Sequence, residues 1–160
     1  MIRVCFVCLG NICRSPTAEG VMQHLVSQQH LEDQITAESA GTAAYHVGEL
    51  SDVRSREEAL RRGVRLESRA RQFQAADFGR FDYVLAMDAA NFSDLARLTA
   101  DPEERAKLSL LRSHSPGNSD SLDVPDPYYG DDNGFARVYD ICEDACRELL
   151  RQIAEKHGLG

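Results

Sequence analysis

Five residues separate Cys8 from Arg14, and together these two residue types could carry out phosphoryl transfer. A cysteine thiolate is a strong nucleophile. The planar guanidinium of an arginine can hold two oxygens of a phosphate side by side. The spacing alone is weak, because a chain with several cysteines and many arginines shows it by chance. The alternative for Cys8 is an inert, buried cysteine at the end of a strand.

The residues around this pair predict the elements that position it. The apolar run at residues 2–7 is typical of a buried strand. Ser15 followed by Pro16, with Glu19 soon after, is a helix-start signature. The sequence therefore predicts a strand, a small loop over residues 8–14, and then the N-terminus of a helix.

This arrangement favours binding of an anion. Backbone N–H groups in a compact loop can form a nest, and the helix that follows adds the positive end of its dipole. Gly10 and Asn11 are residue types that tolerate a positive φ, which such a loop requires. Cys8 lies where the positive potential converges, so we expect its thiol to ionise easily. The sequence predicts a phosphate or other oxyanion as the ligand of this loop.

Length and composition limit the class of protein. The 160 residues suit one domain, 1–160. The net charge of −8 argues against binding of nucleic acid. No apolar run approaches membrane-spanning length, and the first residues lead directly into a strand, so we expect no membrane association and no signal peptide. Five cysteines at irregular spacing do not form a disulfide framework, which favours a cytoplasmic protein with reduced thiols.

Strand and helix patterns alternate along the chain, which predicts an α/β domain around a four-stranded parallel sheet. The predicted strands cover residues 2–7, 34–39, 81–87 and 108–111, and the main helices cover residues 15–29, 51–62, 89–98 and 133–157. Charged residues of the second helix, Arg54 among them, predict an exposed face of mixed sign rather than a binding patch. Asp88 follows the third strand and is interpreted as a helix cap rather than as a site residue.

Two motifs carry a resemblance to a known family. The segment Val-Cys-Leu-Gly-Asn-Ile-Cys-Arg-Ser-Pro at residues 7–16 resembles the phosphate loop of the low-molecular-weight protein tyrosine phosphatases. The segment Asp-Pro-Tyr-Tyr-Gly at residues 126–130 resembles the general-acid loop of that family. The likeness extends over nearly the whole chain. It implies a three-layer α/β/α domain with the strand order 2-1-3-4.

The resemblance also implies a mechanism. Cys8 would form a phosphocysteine intermediate, Arg14 would bind the phosphate, and Asp126 would act as general acid and then as general base. The Ser15 hydroxyl would donate to the thiolate. The residues alone leave Asp126 open between an acid and a turn-forming aspartate before Pro127, and the resemblance favours the acid. We expect no metal and no cofactor, since the nest and Arg14 supply the positive charge.

The substrate implied by the resemblance is phosphotyrosine in proteins, with a tyrosine kinase as a candidate partner. Tyr128 and Tyr129 can sandwich an aromatic ring. Related bacterial arginine phosphatases typically carry Thr where this chain has Ile12, which favours phosphotyrosine. The predicted substrate-binding residues are Leu9, Gly10, Asn11, Ile12, Cys13, Tyr45, Tyr128 and Tyr129. Tyr45 is placed beside the site by the resemblance, and a surface aromatic in a loop is the alternative.

One segment departs from the family pattern. Many members have His-x-Ala-Arg where this chain has Ser68-Arg69-Ala70-Arg71. In those relatives the histidine helps to brace the loop asparagine, so we expect Asn11 to lack that brace here. Ser39 matches a serine that can help.

Three alternatives to a tyrosine phosphatase follow from the same loop. The first is a phosphoarginine phosphatase. The second is a thioredoxin-coupled arsenate reductase, which needs relay cysteines after the third strand, and residues 66–100 contain none. The third is a module that binds phosphate without turnover, which would need neither a thiol nor an acid.

Cys13 stands in the same small loop as Cys8 and raises the possibility of redox regulation. A Cys8–Cys13 disulfide would silence the protein reversibly and shield Cys8 from irreversible oxidation. The alternative is that Cys13 only packs under the loop.

Overall fold

The fold is built on a parallel sheet of four strands. We describe it from a computed structural model, in which residues 1–115, 121–128 and 133–159 are described. The strands are β1 (Ile2–Cys8), β2 (Ile35–Gly41), β3 (Tyr83–Ala86) and β4 (Leu108–Leu110). They lie in the order β2-β1-β3-β4, and every pairing is parallel. The predicted sheet and its strand order are confirmed.

Five helices connect and cover the strands in the described part of the chain. They are α1 (Arg14–Gln28), α2 (Val53–Arg61), α3 (Ala89–Ala96), the short α4 (Pro102–Arg105) and α5 (Asn133–His157), with 3-10 turns at Ala75–Gly79 and Leu111–His114. The side chain of Asp52 accepts a bond from the Arg54 N–H and caps α2. Gly63, at a φ of 85°, follows that helix and provides its C-terminal stop. Helix α2 therefore begins two residues later than the sequence predicts.

The side chains of β1 alternate between two apolar layers. Val4 and Phe6 belong to the core packed under α1 and α5, whereas Cys5 and Val7 belong to a second core on the opposite face. That second core includes Phe73, Phe78, Phe81 and Leu95. A central strand of a parallel sheet is expected to be buried on both faces. The three-layer α/β/α arrangement is confirmed.

The carboxyl ends of the central strands meet at one edge of the sheet. Cys8, at the end of β1, pairs in register with Gly41, at the end of β2. Asp88 follows β3 at the same edge. Ligands of parallel α/β sheets bind at this edge. In the residues that the structure describes, no helix is both long enough and apolar enough to span a membrane.

Candidate active site

The Cys8 loop (residues 8–14) is held in place by hydrogen bonds between its carbonyl groups and the backbone of a neighbouring segment. The carbonyl oxygens of Cys8, Leu9 and Ile12 accept bonds from backbone N–H groups at residues 42, 43 and 52, at 2.8, 3.0 and 2.8 Å. The peptide bonds are trans, so the N–H group next to each of these carbonyls points the opposite way. Those N–H groups belong to residues that line the cavity above the loop. The loop can therefore present several donors to an anion.

The two small residues of the loop play different parts. Asn11 has a φ of 58°, as predicted for the tight turn. Gly10 does not have a positive φ, so that prediction is wrong for this residue. A side chain at position 10 would instead be limited by space, because a Cβ added there would lie 3.0 Å from the ring of His46. Gly41 meets a stronger limit, since a Cβ there would lie 2.7 Å from the Leu9 carbonyl oxygen.

The sulfur of Cys8 lies inside a set of hydrogen-bonding groups. Cys8 is 3% exposed. Its Sγ accepts a bond from the Asn11 backbone N–H at 3.2 Å and lies 3.0 Å from the Ser15 hydroxyl oxygen. The Asn11 side-chain amide donates to that same hydroxyl oxygen at 2.8 Å. Because the oxygen already accepts from Asn11, its own proton can be donated to the sulfur or to the Ala40 carbonyl oxygen at 3.4 Å.

Arg14 lies directly under the cavity and is only 4% exposed. Its Nη1 donates to Asp88 Oδ2 at 2.7 Å and to the Val124 carbonyl at 3.1 Å. Burial lowers the pKa of Arg14, but the negative charges of Cys8, Asp88 and Asp126 outweigh it and raise the pKa overall. The guanidinium therefore remains charged in its buried position.

Asp88 is a site residue that the sequence analysis missed. Its Oδ1 accepts a bond from the Asn91 N–H at 2.7 Å, so it caps α3 as predicted. Its Oδ2 also holds Arg14, so the cap interpretation was incomplete. The available signal was its position directly after a central strand, at the edge of the sheet where ligands bind.

Asp126 faces Arg14 across the cavity. One carboxylate oxygen of Asp126 lies 3.8 Å from Arg14 Nη2, and the other accepts a bond from the Tyr128 N–H at 3.0 Å. The side chain is 44% exposed. The bond to Tyr128 is the turn-forming contact that the sequence offered as an alternative role. One carboxylate oxygen of Asp126 thus stabilises the turn, while the other faces Arg14 and the cavity.

A buried network braces Asn11 from behind. The Asn11 side chain donates to Ser39 Oγ at 2.9 Å and accepts from the Arg71 backbone N–H at 3.0 Å. Ser39 in turn donates to Glu19, and the Ser68 hydroxyl donates to the same Glu19 oxygen at 3.0 Å. Burial raises the pKa of Glu19, against the opposing effect of these bonds. In place of the histidine of many family members, Ser39 supports Asn11, as the sequence suggested that it could, and the Arg71 main-chain N–H adds a second contact.

The cavity above the loop measures about 280 Å³. It is lined by Cys8, Leu9, Gly10, Ile12, Cys13, Arg14, Tyr45, His46, Asp126 and Tyr128. Asn11 and Ser15 are buried and contact the Cys8 sulfur or its partners. Tyr129 lies outside the described residues. His46 lines the cavity although the sequence gave it no role.

Four further cysteines accompany Cys8, and all of them are buried. All five cysteines are free thiols. Burial, together with the nearby charges of Asp52 and Cys8, raises the pKa of Cys13 to about 12. Burial also raises the pKa of Cys142 to about 12. Among the described residues, no group of three His, Cys, Asp or Glu side chains could hold a metal ion.

Fold and site together define a parallel α/β protein with a place for a small oxyanion at the carboxyl ends of its central strands. The sequence profile of the family described as low molecular weight phosphotyrosine protein phosphatase matches residues 3–158. The chain belongs to this family.

Individual relatives agree with the family profile. A low molecular weight protein-tyrosine-phosphatase of Streptomyces coelicolor is 44% identical over 155 residues, which cover 96% of this chain and 94% of the relative. A crystal structure of a protein tyrosine phosphatase from Entamoeba histolytica is 39% identical, with a TM-score of 0.93 and coverage of 98% and 99%. The structure of a Drosophila arginine phosphatase is 31% identical, with a TM-score of 0.88 and coverage of 95% and 98%.

Proposed function

We propose that this protein hydrolyses phosphotyrosine in proteins, and small aryl phosphates, through a phosphocysteine intermediate on Cys8. The observation that carries the proposal is the convergence of three groups on one cavity. The Cys8 sulfur lies at its floor, Arg14 lies beside it, and Asp126 faces Arg14 at 3.8 Å. A nucleophile, a fixed cation and an acid are the groups that hydrolysis of a phosphate monoester requires.

In the first step the Cys8 thiolate attacks the phosphorus in line with the bond to the aryl oxygen. The S–P bond forms as the P–O bond breaks, and the electron pair of that bond leaves with the aryl oxygen. Asp126, protonated, gives its proton to this oxygen. The loop N–H groups and Arg14 hold the three non-bridging oxygens as their charge redistributes.

In the second step water attacks the phosphorus and the S–P bond breaks. Asp126, now a carboxylate, takes a proton from the attacking water. The Cys8 sulfur leaves as a thiolate, which the Ser15 hydroxyl at 3.0 Å and the Asn11 N–H at 3.2 Å stabilise. Inorganic phosphate is released and the resting site is restored.

The walls of the cavity support an aromatic substrate. Tyr45 is 76% exposed and Tyr128 is 37% exposed, so each offers ring surface at the rim. Ile12 adds an apolar lining residue. A phosphotyrosine ring gains contact area from such walls, while its phosphate reaches the loop. Tyr129 stays a predicted wall residue. The proposed partners are phosphotyrosine-containing proteins, with a tyrosine kinase as a candidate.

A phosphoarginine phosphatase is the second candidate function. It is favoured by the similarity to the Drosophila protein named an arginine phosphatase. Ile12 argues against it, since the resemblance places threonine at this position in bacterial arginine phosphatases. The same Cys8 chemistry would serve both substrates, since only the leaving atom differs.

The test is phosphate release from phosphotyrosine, phosphoserine and phosphoarginine peptides, measured at mildly acidic pH with wild type and Cys8→Ser. We expect turnover of the phosphotyrosine peptide alone. Cys8→Ser should lower it by at least about 10⁴-fold, because the variant lacks the nucleophile. Turnover of phosphoarginine would agree with the proposed Cys8 mechanism but contradict the proposed substrate. Phosphate binding without turnover of any peptide would contradict the proposal and favour a binding module.

A further inference from the structure

Arg54, the second residue of α2, connects two parts of the site that are distant in sequence. Its Nε and Nη2 donate to the two carboxylate oxygens of Asp52, at 3.0 and 2.9 Å. The backbone N–H of Asp52 donates to the Ile12 carbonyl of the Cys8 loop at 2.8 Å. The Arg54 guanidinium is therefore fixed relative to the floor of the cavity.

The other side of the same guanidinium contacts the Asp126 segment (residues 124–128). Nη2 donates to the Tyr128 carbonyl at 3.3 Å. The guanidinium carbon lies 5.4 Å from the centre of the Tyr128 ring and 4.6 Å from that of the Phe135 ring, within cation–π range. Tyr128 in turn donates its N–H to Asp126. A continuous series of contacts thus runs from Ile12 through Arg54 to Asp126.

We propose that Arg54 is a positioning residue that holds Asp126 at the distance from Cys8 that protonation of the leaving group requires. The proposal rests on the proposed function, in which Asp126 is the general acid. It replaces the sequence interpretation of Arg54 as one more charge on an exposed face. A planar guanidinium can bond Asp52 through its edge while its face lies over two rings, whereas a lysine cannot do both.

Asp126 benefits from such an external anchor because its side chain is 44% exposed. Among the described residues, it accepts a bond from the Tyr128 N–H and lies 3.8 Å from Arg14. A general acid must come within hydrogen-bond reach of the oxygen it protonates, and an error of about 1 Å is costly. Loss of Arg54 would remove its bond to the Tyr128 carbonyl and its contact with the Tyr128 ring, and so would loosen the turn that carries Asp126.

The experiment compares Arg54→Ala with Arg61→Ala. Arg61 lies two turns further along α2, pairs with Glu58 and is 69% exposed, so its loss removes the same charge without touching the Asp126 segment. The measured quantity is kcat/KM for phenyl phosphate and for 4-nitrophenyl phosphate, since this ratio covers the steps through departure of the leaving group. Phenolate is the stronger base and depends more on protonation by an acid.

We expect Arg54→Ala to lower kcat/KM for phenyl phosphate about tenfold, a part of the roughly 10²–10⁴-fold that a positioned acid contributes. The loss for 4-nitrophenyl phosphate should be smaller, and Arg54→Lys should recover only part of it. Arg61→Ala should match wild type. In an Asp126→Ala background, Arg54→Ala should have no further effect, because its target is already gone.

Two results would overturn the proposal. Equal losses for the two esters, together with weaker inhibition by inorganic phosphate, would show that Arg54 acts on the Cys8 loop through Asp52. Additive losses in the double variant would show that it acts independently of Asp126.

A second measurement does not depend on activity. Amide hydrogen exchange over residues 121–128 should be faster in Arg54→Ala than in wild type and unchanged in Arg61→Ala. Unchanged exchange in Arg54→Ala would contradict the proposal. Lack of Cys8-dependent turnover in wild type would instead contradict the proposed function, and faster exchange would still support the structural contact.

Discussion

The Cys8 loop and the Asp126 segment face the same cavity but are held in different ways. The loop is fixed by backbone hydrogen bonds to three positions between residues 42 and 52, and its asparagine is buried and fully bonded. The Asp126 segment has a backbone bond from Val124 to Met87, and it is contacted by the side chains of the arginines at positions 14 and 54. Main-chain groups thus position the nucleophile, and side chains position the acid.

This difference has a consequence for the proposed chemistry. The groups that hold phosphate oxygens gain most from being fixed before the substrate arrives, since no reorganisation is then needed. The acid has to serve two different partners, an aryl oxygen and then a water, so a segment with fewer contacts suits it. Substitutions that affect the acid should therefore lower kcat/KM more for esters with a basic leaving group. Substitutions that affect the phosphate-binding loop should lower kcat/KM equally for all esters.

Within the Asp126 segment, substitution of Asp126 itself has the largest expected effect on activity. We expect Asp126→Ala to lower kcat/KM for aryl phosphates by roughly two to four orders of magnitude, more for a basic leaving group. Asp126→Asn is the matched variant, since an amide can still accept the bond from the Tyr128 N–H but cannot donate an acid proton. Steady-state kinetics with the two esters measures both.

The two variants distinguish a general-acid role of Asp126 from a role in forming the turn. Similar losses in Asp126→Asn and Asp126→Ala would support the acid. Near-wild-type activity in Asp126→Asn, or a loss below tenfold in Asp126→Ala, would leave Asp126 as a turn residue.

Asp88→Asn tests the anchoring of the phosphate-binding groups. The change removes the charge that pairs with the buried Arg14 at 2.7 Å. We expect affinity for inorganic phosphate to fall about tenfold, because a partly buried ion pair is broken. The loss of kcat/KM should be the same for both esters, unlike the loss expected for Arg54→Ala. Competitive inhibition by phosphate is the measurement, and unchanged affinity would show that Asp88 serves only as a helix cap.

The sequence predicted the Cys8 loop, which main-chain groups hold, better than the side-chain contacts that hold Arg14 and the Asp126 segment. The strand, the loop and the helix start follow from local patterns around Ser15 and Pro16, and these contacts are close in sequence. The roles of Asp88 and Arg54 depend on contacts between segments that are 74 residues apart in both cases. Each had a satisfactory local explanation, Asp88 as a helix cap and Arg54 as an exposed charge. For Asp88 the position after a central strand also pointed to the site, whereas nothing in the sequence around Arg54 indicated a second role.

Cys13 belongs to the Cys8 loop, and its proposed redox role has a pH dependence. Attack on an oxidised Cys8 requires the Cys13 thiolate, and burial raises the pKa of Cys13 to about 12. Below that pH the thiolate fraction rises tenfold per unit. We therefore expect thiol treatment after mild peroxide to restore more activity in wild type than in Cys13→Ser, with a difference that is small at pH 6.5 and several-fold larger near pH 8.5. Equal recovery at both pH values would leave Cys13 as a packing residue.

Glu19 supports the loop from behind, and its substitution has the smallest expected effect on activity. Asn11 keeps its bonds from Arg71 and to Ser15 when Glu19 changes, so Glu19→Gln should alter kcat/KM less than Asp88→Asn does. The expected signature is in stability. Burial raises the pKa of Glu19, so the folded state binds its proton more tightly than the unfolded state does.

The stability of wild type relative to Glu19→Gln should therefore fall as the pH rises from the ordinary titration range of a glutamate towards neutrality. Below that range the carboxyl is protonated in both states and the difference is constant. Urea unfolding of both proteins at several pH values measures it. A pH-independent difference would mean that the bonds from Ser39 and Ser68 fully compensate for burial of the charge. The brace behind the Cys8 loop would then be as strong at neutral pH as in acid, and the rigidity of that loop would not depend on protonation of Glu19.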